Sequence, residues 1–109
     1  MGTYLVLYRG MTSARDQMAS TTPEMAKAGM DAWMSWAGQA GDAIKDLGAP
    51  LAEVSRLGPD VPGGDQITGY SFLQADSADA LTALLAQHPH LHMPDGRIEV
   101  LEVLAMPGA

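Results

Sequence analysis

The sequence predicts an α+β fold: a four-stranded antiparallel sheet with two helices on one face, in the order β-α-β-β-α-β. Three observations predict it. Short runs rich in Val, Ile, Leu and Tyr open and close the chain, at residues 3–8 and 97–104, and a third lies at residues 67–75. Two amphipathic stretches between them begin at helix-start signals, Thr22-Pro23-Glu24 and Asp76-Ser77. The chain has 109 residues, enough for one domain over residues 1–109 and too few for two.

The first strand is expected over residues 3–8. Leu5 and Leu7 point one way, and Tyr4, Val6 and Tyr8 the other. Both sets are mostly apolar, so both faces should be covered. Residues 10–21 read as a polar connection. Arg9 and Arg15 are either solvated cations or groups facing an acidic ligand.

Thr22 at N-cap, Pro23 at N1 and Glu24 in the first turn start a helix. It is expected to run to Leu47, with Gly48 as the left-handed residue that ends it. Met25, Ala32, Trp36 and Ile44 form one apolar stripe, and Met30, Trp33, Met34 and Ala37 a second beside it. The combined arc is wide, which predicts a largely buried helix.

A weaker strand is expected over residues 49–57, followed by a turn-rich link over 58–65. In the strand at 67–75, Tyr70, Phe72 and Gln74 share one face, and Gly69, Ser71, Leu73 and Ala75 the other. The second helix carries Leu81, Leu84 and Leu85 inward and ends by His88, because Pro89 forbids continuation. Residues 90–96 form a turn, with Asp95-Gly96 as its signal. The last strand places Ile98, Val100, Glu102 and Leu104 on one face and Glu99, Leu101 and Val103 on the other. Two unequal helices on one face of such a sheet is the ferredoxin-like arrangement. Its second face carries Tyr, Phe and Val, which water covers badly, so two sheets packed face to face as a homodimer are expected.

Composition narrows the function. The chain is 47% hydrophobic and 17% charged, against about 25% charged in an average domain. Excess apolar surface on a small chain points to a subunit partner. A formal net charge of −7 argues against nucleic acid and against an anionic membrane surface. The chain has no cysteine, which removes disulfides, thiolate nucleophiles and Cys-ligated zinc. The apolar run near the N-terminus lacks the basic flank and cleavage pattern of a signal peptide, and no run reaches ~18 residues. A cytoplasmic protein is therefore expected.

The stretches Thr68-Gly69-Tyr70-Ser71, Ala75-Asp76-Ser77, His88-Pro89-His90-Leu91 and Ile98-Glu99-Val100, with MDAWMSWAGQAGDAIKDLGAPL upstream, resemble the YCII-related family, which includes the DGPF-type proteins. The resemblance spans residues 24–107 and implies a dimeric α/β barrel built on the ferredoxin-like fold. Some members of that family carry a His in the first helix paired with an Asp just after it. Here the equivalent region reads AKAGMDAWMSW, without histidine, and the Asp-Gly-Pro-Phe motif is absent. No catalytic pair therefore carries over.

The candidate chemistry is limited. His90 is either a general acid-base group, it and Tyr70 serving as proton-transfer or orienting groups, or a turn histidine bonded to backbone. Trp33, Trp36, Tyr4, Tyr8 and Phe72 are candidate walls of a ligand pocket, or plain core. In an extended segment His88, His90 and His92 would share one side, a weak alternative as a metal site that Pro89 works against. Asp31 or Glu102 would become a base only inside a closed cavity. No GxSxG, P-loop, GxGxxG or HExxH pattern occurs, and no cofactor is indicated. Two functions remain open: a cofactor-free acid-base enzyme acting on a small apolar or aromatic molecule, and a non-catalytic small-ligand-binding or accessory module.

Overall fold

A computed structural model describes residues 2–59 and 64–107. Residues 60–63 of the expected link, and Gly108 of the tail, lie outside them. Four strands and three helices follow one another: β1 (Gly2–Gly10), α1 (Ala14–Ser20), α2 (Pro23–Ala40), β2 (Ile44–Pro50), β3 (Gln66–Ala75), α3 (Ala78–Leu85) and β4 (Arg97–Glu102). The strands form one antiparallel sheet in the order β2-β3-β1-β4. The α+β class and the predicted succession of strands hold, with one helix added.

That addition is α1. Its seven residues carry no apolar period, and only Ala14 is buried, so hydrophobic patterning is silent there. Its start is legible in hindsight. Ser13 and Asp16 stand at the spacing of a capping box, and the Asp16 N–H donates to Ser13 Oγ at 3.1 Å. Two caps appear where expected. Thr22 Oγ1 accepts the Met25 N–H at 3.2 Å, and Ser77 Oγ accepts the Ala80 N–H at 3.1 Å.

The expected end of the long helix is corrected. α2 stops at Ala40, because Gly41 takes φ +56° and turns its N–H back to the Ala37 carbonyl. Ile44 then enters β2, earlier than expected, while residues 51–57 hold no regular structure. Gly48 is not a helix cap. It sits at φ +85° inside β2, where an added Cβ would lie 1.6 Å from the Tyr70 carbonyl oxygen. The local register of β2 on β3 shifts on either side of Asp46, whose carboxylate accepts the Gly48 N–H at 2.9 Å.

The expected burial of α2 is also corrected. Trp36 is buried and Trp33, Ala37 and Ala40 are partly so, whereas Met25, Met30 and Met34 are exposed, Met30 by 61%. Each expected stripe is split: its tryptophan turns to the sheet and its methionines face solvent. The core joins Trp36 of α2 and Leu81 and Leu85 of α3 to Tyr4, Val6, Tyr8 and Leu73. Both helices therefore cover the face that alternation assigned to Tyr4, Val6 and Tyr8. The opposite face carries Leu5, Leu7, Tyr70, Phe72 and Leu101, aligned by register as Leu5↔Phe72, Leu7↔Tyr70 and Leu5↔Leu101. Among the described residues no helix is long and apolar enough to cross a membrane.

Candidate functional site

His88 occupies the turn where α3 ends. Pro89 has no N–H to continue the helix, and the chain passes into a short 3-10 turn over Pro89–His92. The His88 N–H bonds the Leu85 carbonyl at 3.0 Å, and this directs the imidazole inward. The ring is fully buried. It stacks on Tyr8 at 4.8 Å between centroids and meets Trp33 and Trp36 edgewise, each at 4.4 Å. An imidazole is thus boxed by a phenol and two indoles.

His88 Nδ1 accepts the His90 N–H at 3.0 Å. That bond assigns the neutral ring's proton to Nε2. Among the described residues, Nε2 is a buried side-chain atom with no hydrogen-bond partner. Burial pushes the His88 pKa down from 6.5 to about 4, and the nearby His90 and His92 act in the same direction. The ring is therefore neutral at pH 7.

Tyr8, Ser71, Trp36 and His90 of this cluster each have a hydrogen-bond partner. The Tyr8 hydroxyl donates to Ser71 Oγ at 2.9 Å, and Ser71 donates on to the Leu47 carbonyl at 2.5 Å. The relay ends on a backbone oxygen, which offers no base. Burial raises the Tyr8 pKa, against a smaller opposing effect of the Ser71 hydrogen bond, so the phenol keeps its proton. Trp36 Nε1 donates to the Leu84 carbonyl at 3.2 Å. His90 is buried too, and its Nε2–H donates to the Arg9 carbonyl at 2.8 Å. The sequence places Ser71 on a strand face with Leu73 but does not single it out as a site residue. Its signal is a hydroxyl on the inward face of an apolar strand, where a partner is obligatory.

The residues singled out in the sequence divide into two groups. Tyr8, Trp33, Trp36, His88 and His90 come together on the helix side, with Tyr4 in the same core. Tyr70 and Phe72 stand on the open face, edge to face at 5.9 Å, where the Tyr70 hydroxyl reaches Asp46 at a long 3.4 Å. The sheet thus separates Tyr70 from His90. His88 and His90 spend ring nitrogens on backbone groups, and among the described residues no group of three or more His, Asp or Glu side chains is arranged to hold a metal ion. Asp31 lies on the solvent side of α2, paired with Lys27 at 2.8 Å, and Glu102 is exposed.

A second cluster lies at the end of the sheet. Asp65, whose side chain is 8% exposed, takes Arg9 Nε on one oxygen and Arg97 Nε on the other, each at 2.8 Å. Arg9 Nη1 also reaches Glu99 at 3.1 Å. The Arg9 guanidinium holds the Asp65 carboxyl below the usual carboxylate range, with Arg97 adding to the effect. Two open depressions flank this cluster. One, of about 400 Å³, is lined by Met11, Asp95, Arg97 and their neighbours. The other, of about 370 Å³, is lined by Arg9, Leu51, Arg56, Ile67 and their neighbours. No protein-family model matches the chain, and no curated protein matches it.

Proposed function

We propose that the chain is a YCII-related domain of ferredoxin-like plan that works as a homodimer and serves as a non-catalytic binding or accessory module for small apolar or aromatic molecules. One observation carries this reading. The helix side of the sheet is filled, with Tyr8, Trp33 and Trp36 closed on His88, while Leu5, Leu7, Tyr70, Phe72 and Leu101 share a face that neither α2 nor α3 covers. Four strands of 6 to 10 residues, about 4.8 Å apart, offer a footprint of roughly 500 Å² before side-chain relief is added. That is the order of area a stable dimer needs, about 800 Å² of accessible surface per partner. Two open faces packed together would form the dimeric α/β barrel.

The test is the mass of the native particle. The wild-type chain is expected to be a dimer at micromolar concentration. Phe72→Glu puts a charge on the open face and leaves the core intact, so it should give a folded monomer with an unchanged far-UV circular dichroism spectrum. A wild-type monomer at all accessible concentrations would sink the reading.

A second reading, a cofactor-free acid-base enzyme on the same class of molecule, is favoured by His88 alone. A buried imidazole with one unpartnered nitrogen beside a phenol is the kind of perturbed group that catalytic sites collect. Against it, the Tyr8 relay ends on a carbonyl and His90 is engaged with backbone.

A further inference from the structure

The chain is acidic, yet three of its four arginines, Arg9, Arg56 and Arg97, gather at one end of the sheet. Among the described residues, each makes its closest carboxylate contact through Nε: Arg9 and Arg97 with Asp65, and Arg56 with Glu53. A carboxylate on that edge fixes the guanidinium plane and leaves the terminal amino groups as donors. Among the described residues, both terminal nitrogens of Arg56 are without a hydrogen-bond partner, and Arg9 engages one of its two, with Glu99. Arg9 and Arg56 line the same depression of about 370 Å³, within the size range of small-molecule sites. Leu51 and Ile67 line it as well and are exposed. The Leu51 N–H is tied to the Thr68 carbonyl at 3.0 Å, which anchors that wall to the sheet.

We propose that this depression binds a small organic acid, its carboxylate taken by the terminal amino groups of Arg9 and Arg56 and its apolar body lying on Leu51 and Ile67. A monoanion suits the site better than a phosphate dianion, because Glu53 and Asp65 line the same walls and repel the second charge. The neighbouring depression does not suit an anion. It sets Asp65 and Asp95 against the single guanidinium of Arg97. The inference rests on the reading of the chain as a small-molecule binder and is independent of the dimer.

The experiment is a titration of the whole, isotope-labelled chain at low ionic strength, followed by amide NMR, with benzoate, benzamide and inorganic phosphate as probes. Benzoate is expected to shift the amides of Ala52, Glu53, Gln66 and Ile67. It should bind about tenfold tighter than its neutral isostere benzamide, and about tenfold tighter than phosphate. Arg56→Gln alters an exposed side chain on an irregular segment, so the fold should persist. It should weaken benzoate about tenfold and leave benzamide unchanged. Phosphate binding as tightly as benzoate overturns the proposal. Equal binding of benzoate and benzamide, unmoved by Arg56→Gln, also overturns it but leaves the small-molecule reading standing. Silence from all three probes up to about 50 mM removes both.

Discussion

Leu7 and Tyr8 are neighbours in β1 and face opposite ways. Tyr8 is enclosed by Trp33, His88 and His90, and its hydroxyl is spoken for by Ser71. Leu7 lies opposite Tyr70 on one side and Glu99 on the other, under nothing contributed by α2 or α3. In sequence the two sets of positions are almost equally apolar. Alternation therefore reports that both faces avoid water, but not which is covered from within the chain. The difference lies in the helices. Trp36, Leu81 and Leu85 are aimed at one face only.

The largest expected effect that would test this contrast is on the covered side. Trp36→Ala removes a buried indole and its bond to the Leu84 carbonyl, and should cost about 3–5 kcal/mol of stability, read from urea unfolding. A loss below about 1 kcal/mol would mean that the helix face is not the core.

His88 gives the next effect, and it depends on pH. Its folded pKa, about 4, lies below the unfolded value of 6.5, so the fold prefers the neutral ring. Stability from this group is complete above pH 6.5. It falls as the pH drops from 6.5 to 4 and levels off below both values. Over that window about 3 kcal/mol is lost. His88→Asn keeps an acceptor for the His90 N–H and should flatten the profile. An unchanged slope between pH 6.5 and 4 would assign the effect to another group.

The smallest effect sharpens the comparison within one helix. Met30 shares α2 with Trp36 but faces solvent. Met30→Gln should move the unfolding midpoint by no more than about 0.5 kcal/mol. A loss of several times that would mean the outer methionines of α2 are covered in the working particle, and would point to a second interface.

Much of the architecture was readable because its signals are local. A cap is a side chain three residues from its N–H, as at Thr22 and Ser77, and Pro89 stops a helix through its own ring. The helix end was misread because Gly41 and Gly48 are equally good left-handed residues by type. Only the approach of the Tyr70 carbonyl gives Gly48 its place in a strand. The aromatic cluster was half legible. Tyr8, Trp33 and Trp36 were named, but at strand and helix spacing core and pocket look alike. For His88 the sequence offers a helix end and a spacing to two other histidines, neither of which signals burial.

The sequence by itself determined the succession of strands, the starts of α2 and α3, and which residues of β1, β3 and β4 share a face, since these depend on contacts within a turn or on simple alternation. The tertiary structure alone decided the end of α2, the burial of His88 with one nitrogen unpartnered, and the meeting of Arg9, Arg56, Asp65 and Arg97 at one end of the sheet. Those outcomes bring together atoms that are distant along the chain, and no local propensity encodes such an approach.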